Sequence, residues 1–128
     1  MYKSVIISLF CIFSLAHDGP VFVDKLENAF VESKESEKDL LIVFSADWCG
    51  NCVIFKKHIM EDSSILSNMV VCFVDFDSND SIVKEYKVKK IPDFRYYKDS
   101  AEIGKKIGYS NRQEFDKWIA GHKDQNAR

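Results

Sequence analysis

An α/β fold follows from three patterns in this 128-residue chain. Two short apolar runs, LLIVFS at residues 40–45 and MVVCFVDF at 69–76, lack the polar alternation of a one-sided strand. They read as central parallel strands buried on both faces. Helical periodicity surrounds them, as crossovers between parallel strands require. Two shorter strand-like segments, 94–97 and 102–107, are joined by the polar turn Lys98-Asp99-Ser100 and read as an antiparallel hairpin. The predicted architecture is a central mixed β-sheet, parallel strands plus a C-terminal antiparallel hairpin, flanked by helices.

Taken in order, Met1-Tyr2-Lys3 supplies one positive charge, and residues 4–16 (SVIISLFCIFSLA) carry none. A basic start, a short apolar run and small residues at Ser14 and Ala16 predict a cleaved export signal over residues 1–16. The run is short for a membrane anchor, and bulky Phe10 precedes Cys11 where lipoprotein processing needs a small residue. Residues 17–128 then form one domain. Residues 24–38 predict a helix with Leu26, Ala29, Phe30 and Ser33 on one face and an Asp24/Glu27 capping box. The strand at 40–45 leads into a helix from Cys49 to about Met60, with Cys52, Phe55 and Ile59 facing inward. After the second strand, Ser78-Asn79-Asp80 opens a short helix carrying Ile82, Val83 and Tyr86. Beyond the hairpin, Ser110 and Gln113 cap a last helix with Phe115, Trp118 and Ile119 on one face and Gly121 at its end. The order is αβαβαββα.

Composition narrows the function. Eighteen Lys+Arg against 20 Asp+Glu give a net charge of −2, so no basic excess exists to neutralise nucleic-acid phosphates. No apolar run reaches the ~20 residues of a membrane span, and no membrane role beyond export is expected. Apolar residues at 46%, with 13% aromatic, suffice for a core. Removal of residues 1–16 leaves Cys49, Cys52 and Cys72 in an oxidising compartment. A bacterial periplasm is the expected location, with the extracellular medium or a eukaryotic secretory pathway as the alternative.

Trp48-Cys49-Gly50-Asn51-Cys52 sits where a buried strand ends and a helix begins. Unpaired N–H groups and the macrodipole at a helix N-terminus favour negative charge there, which makes Cys49 the nucleophile. Two intervening residues put Cys52 one turn later, within disulfide reach. Gly50 is expected to let the backbone bend closely around the first sulfur, with Cys52 shielded and Cys49 exposed. A zinc site would need a second ligand pair, and Cys72, His58, His17 and His122 are poorly placed to supply one. A purely structural disulfide over so short a link would close almost no loop.

FSADWCGNC at residues 44–52, with Ile91-Pro92 some forty residues later, resembles the thioredoxin superfamily, and the likeness runs from about Asp24 to Ala120. Within it, ADWCxxC followed by a helix and Glu61-Asp62-Ser63-Ser64-Ile65 is similar to small exported thioredoxin-like domains and to the C-terminal domain of the transmembrane electron-transfer reductases. The resemblance implies a thioredoxin fold, with Cys49 attacking and Cys52 resolving, no cofactor and no metal. It also implies that a cis bond precedes Pro92 and that the Ile91 backbone pairs with an extended substrate segment. Trp48 would pack beside the site and Gly108 would flank the groove.

The chain departs from the family at four points. Val43 stands where thioredoxins carry a buried acid, and the dipeptide is Gly-Asn rather than Gly-Pro or a His-containing pair. The helix lacks a kinking proline after the motif, and Asp93 replaces the small hydroxyl residue after the cis proline. Without a histidine donor a strong oxidant is disfavoured.

Other signals have simpler readings. Cys72 reads as a small buried hydrophobe. The acids from Asp75 to Asp80 fail the calcium-loop pattern, with Asp80 at the glycine position and Tyr86 at the twelfth, and read as helix caps. Lys87, Lys89 and Lys90 read as a solvated edge, and Asn79-Asp80-Ser81 is a glycosylation acceptor only in a eukaryotic source.

The expected function is an exported thiol–disulfide oxidoreductase acting on protein disulfides or thiols, leaning towards reduction and supplied by an upstream redox partner. The alternative is a redox-weak binding or chaperone-like module on the same fold.

Overall fold

The computed structural model describes residues 18–124, so the expected export signal lies outside the described residues. The elements are β1 (Val21–Phe22), α1 (Leu26–Ser36), β2 (Asp39–Ser45), α2 (Gly50–Glu61), a 3-10 turn (Ser64–Leu66), β3 (Met69–Asp75), α3 (Asp80–Glu85), β4 (Asp93–Lys98), β5 (Ala101–Ile107) and α4 (Arg112–Asp124). The sheet order is β1-β3-β2-β4-β5. β3 pairs in parallel with both β1 and β2, whereas β4 runs antiparallel to β2 and to β5. The mixed sheet and C-terminal hairpin are as expected. β1 is additional, because two residues carry no readable periodicity.

Strand alternation explains why LLIVF has no polar position. Leu41 and Val43 face one layer with Phe55 and Ile59 of α2 and Phe115 and Ile119 of α4. Leu40, Ile42 and Phe44 face the other with Ala29 of α1, and with Ile82 and Val83 of α3. Both faces of β2 are therefore dry, and its apolar burial supplies the main stabilisation of the centre. Phe55 sits among four rings, those of Phe73, Phe94, Tyr109 and Phe115, at centroid distances of 4.9–6.2 Å.

The caps differ from expectation. α1 begins at Leu26 behind Lys25, which makes no side-chain cap bond, so the Asp24/Glu27 box is absent. Glu37 ends α1 in the left-handed region (φ 58°), two residues before β2. The N–H of Glu114 is capped by Asn111 Oδ1 at 2.9 Å, one residue beyond the expected Ser110. α4 passes through Gly121 to Asp124, because His122 packs on Tyr96 and Trp118 and carries the helix one turn further. Asp75 does not cap α3. Its Oδ2 accepts from the Ser78 N–H and hydroxyl at 3.0 and 2.7 Å, and so closes the turn after β3.

Candidate active site

β2 delivers the chain to the helix start through residues 46–48. Cys49 is the N-cap of α2, with extended backbone (φ −87°, ψ 113°), and its Sγ accepts the Cys52 N–H at 3.3 Å. A sulfur thus takes the place that a Ser or Asp oxygen has in an ordinary cap, on a donor the helix leaves free. The Cys49 thiol in turn points at Ile91 O, 3.7 Å away. Cys49, Cys52 and Cys72 are all free.

Cys52 faces inward with Phe55 and Ile59, as its spacing predicts. Cys49 is less open than expected, retaining only 8% exposure, because Ala46, Phe76 and Ile91 close around the pair. Burial, and then the hydrogen bond to Cys49, push the Cys52 thiol up to about 12, against opposing pulls from the Ala46 backbone and Lys56. The inner sulfur is thereby held as a neutral thiol.

The Ile91-Pro92 bond is cis, and Ile91 packs on the cysteine cluster. Gly108 lies beside it at φ 91°, where an L side chain is strained, and its N–H donates to Pro92 O at 2.8 Å. Trp48 is 66% exposed, and its Nε1 donates to Asp77 Oδ2 at 2.7 Å, which ties the ring to the loop after β3. Gly50 is the first residue of α2, and a Cβ there would meet nothing within 4 Å. Its smallness is therefore not required by a bend around the sulfur, contrary to expectation; the space lies open to solvent. Asn51 is exposed on the first turn.

A family model described as Thioredoxin matches residues 21–121. The chain belongs to the thioredoxin family. It is 32% identical to the thioredoxin of Homo sapiens over 95 residues, which cover 73% of this chain and 90% of that one. The thioredoxin of Oryctolagus cuniculus is 34% identical over the same shares. Among solved structures, a thioredoxin from Thermus thermophilus superposes with a TM-score of 0.70 at 21% identity, covering 80% of this chain and 86% of that one. Thioredoxin f from spinach chloroplast gives 0.67 at 17%, covering 83% and 95%. The fold is the thioredoxin fold, and the enzyme class is protein thiol–disulfide oxidoreductase.

Against that family pattern, Val43 lies beside Phe73 in the β2–β3 register, on the face that α2 covers. No carboxylate occupies this position under the helix. Asp93 does not replace it: Asp93 pairs with Phe44 in register, so it faces the opposite layer. There it is fully buried against Arg95, with Nε–Oδ1 at 2.6 Å and Nη2–Oδ2 at 3.1 Å. Sequence reasoning passed over this pair, although opposite charges two apart in the apolar stretch IPDFRYY signal one shared strand face. Asp77, expected among the helix-capping acids, instead holds the Trp48 ring, a role for which no local signal exists.

Cys72 is buried in the layer that holds Ala29 of α1, its Sγ 3.9 Å from Asp24 O. Burial, with a smaller effect of Asp24, pushes its thiol up to about 11. His58 is occupied by the Tyr109 hydroxyl at 2.5 Å. Among the described residues no group of three His, Cys, Asp or Glu is gathered as a metal site.

Proposed function

We propose that Cys49 and Cys52 form the redox pair of a reductant of protein disulfides, with the Ile91-Pro92 backbone as the surface on which an extended substrate segment pairs. The observation that carries this reading is the Cys49 sulfur at the cap of α2, with the Cys52 N–H on one side and Ile91 O on the other. In the first step the Cys49 thiolate attacks one sulfur of the substrate disulfide. A Cys49–substrate bond forms, the substrate S–S bond breaks, and the other substrate sulfur leaves as a thiolate that takes up a proton. In the second step Cys52 loses its proton and attacks the Cys49 sulfur, which releases the second substrate thiol and leaves the Cys49–Cys52 disulfide. Two electrons and two protons pass to the substrate, and an upstream dithiol partner returns them. Trp48, Gly50 and Asn51 form the open rim over which the substrate approaches, and Gly108 borders it.

The direction is tested by equilibrating the pair against glutathione buffers. A potential at or below about −230 mV is expected; one near −120 to −180 mV would make the protein an oxidant or isomerase. The order of attack is tested by alkylation. With Cys52 near 12, its thiolate fraction at about pH 8 is roughly 1 in 10,000. Iodoacetamide on the folded dithiol protein should therefore label Cys49 and spare Cys52 and Cys72 until denaturant is added. Early labelling of Cys52 would reverse the assigned roles.

The charge pattern of residues 1–16 supports export, with the periplasm as compartment. Mass measurement of the full chain expressed in a bacterium should find a mature start at residue 17 in the periplasmic fraction. An uncleaved cytoplasmic product would overturn this. The redox-weak binding module remains the second reading because Val43, rather than a carboxylate, stands on the β2 face that α2 covers.

A further inference from the structure

We propose that Asp93 and Arg95 are positioning residues: a single guanidinium ties together the two ends of the loop at residues 87–92 and so holds the Ile91-Pro92 backbone in place beside Cys49. This rests on the reading that substrate pairs with that backbone. Arg95 Nη2 donates to Tyr86 O at 2.7 Å and to Asp93 Oδ2 at 3.1 Å, while Nε donates to Asp93 Oδ1 at 2.6 Å. Tyr86 ends α3 just before the loop, and Asp93 opens β4 just after it. The guanidinium therefore closes the loop at its base, and Ile91, within the span, presents its carbonyl 3.7 Å from the Cys49 sulfur.

Arg95 packs against the rings of Phe44 and Tyr86, which also contact each other at a centroid distance of 5.4 Å; each ring is 5.7 Å from its Cζ, and Arg95 retains 4% exposure. Glu102 completes the fork at 3.4 Å on the open side. Taking two charges out of water is costly, and apolar residues of similar volume would serve burial as well. What they could not supply is a planar fork that reaches a carboxylate and a backbone carbonyl together. The pair lies on the sheet face away from α2, so it acts on the reaction only through the loop.

The test compares wild type with Asp93→Asn/Arg95→Gln, which removes both charges at once, and with Arg95→Lys, which keeps the charge and loses the fork. Each is assayed on insulin and on a small aromatic disulfide, dithiobis(nitrobenzoate), which reaches Cys49 without backbone pairing. In both variants the KM for insulin should rise about tenfold with kcat within about twofold, while the small-disulfide rate and the potential stay at wild-type values. An unchanged insulin KM overturns the proposal, and so does an equal loss on both substrates or failure of both variants to fold. If one variant does not fold, the other decides. Should wild type itself not reduce insulin, the substrate reading fails separately. Amide exchange at residues 88–91 then decides on the tie alone: faster exchange in the variants supports it, and unchanged exchange overturns it.

Discussion

Cys49→Ser is expected to lower insulin reduction by at least about a thousandfold, to the uncatalysed rate. A serine hydroxyl is essentially un-ionised at neutral pH, and an alcohol does not displace a sulfur from a disulfide as a thiolate does. Nothing else in the site can take over the attack. Cys52 is sealed beneath Cys49 with its thiol pushed up to about 12, and Cys72 is fully buried within the sheet with its thiol pushed up to about 11. Cys52→Ser should fail differently. The first attack remains possible, so the variant should consume one substrate equivalent and stop as a mixed disulfide, visible as an intact-mass increase that dithiothreitol removes. Turnover by Cys49→Ser equal to that of wild type would sink the redox assignment. Near-zero turnover by wild type, with insulin retained on both proteins, would favour the binding module.

Phe55→Ala should cost about 3–5 kcal/mol of stability, read as the shift in a urea unfolding curve at unchanged slope. Phe55 retains 1% exposure, and its ring is the shared neighbour of Phe73, Phe94, Tyr109 and Phe115. Deleting it opens a cavity that four stiff rings, each anchored in a different element or loop, cannot close together. A loss below about 1 kcal/mol would mean that the layer between α2, α4 and the sheet can repack. The same change removes a support one turn below Cys52, so activity should fall with stability rather than independently of it.

The centre of the fold was legible because its signals are periodic. Val43 and Phe44 belong to opposite layers, and only a strand covered on both faces tolerates that run. The cysteine pair was legible for a related reason: its position at a strand-to-helix junction follows from the same pattern. Helix ends were less so, since Lys25 supplies no cap and Glu37 adopts a left-handed conformation with no glycine to announce it. Long-range polar ties escaped altogether. Trp48 meets Asp77 across 29 residues, and Arg95 reaches back to Tyr86, contacts that residue type alone does not specify. A long-range packing contact escaped as well: the bare Cα of Gly104 admits the His122 ring, which would lie 2.4 Å from a Cβ, and this holds the end of α4 on the hairpin.

The two margins of the sheet bear on how the molecule behaves in a crowded solution. β1 offers only Val21 and Phe22 for pairing, too little to template another chain. β5 is longer, but it carries Glu102, Lys105 and Lys106 and adjoins an irregularity at Tyr96/Tyr97 that interrupts its ladder. Short, charged and bent margins discourage edge-to-edge aggregation. A foreign extended chain is therefore steered away from the flanks of the sheet. The margins of the sheet in this way protect the molecule from being recruited into aggregates of other chains.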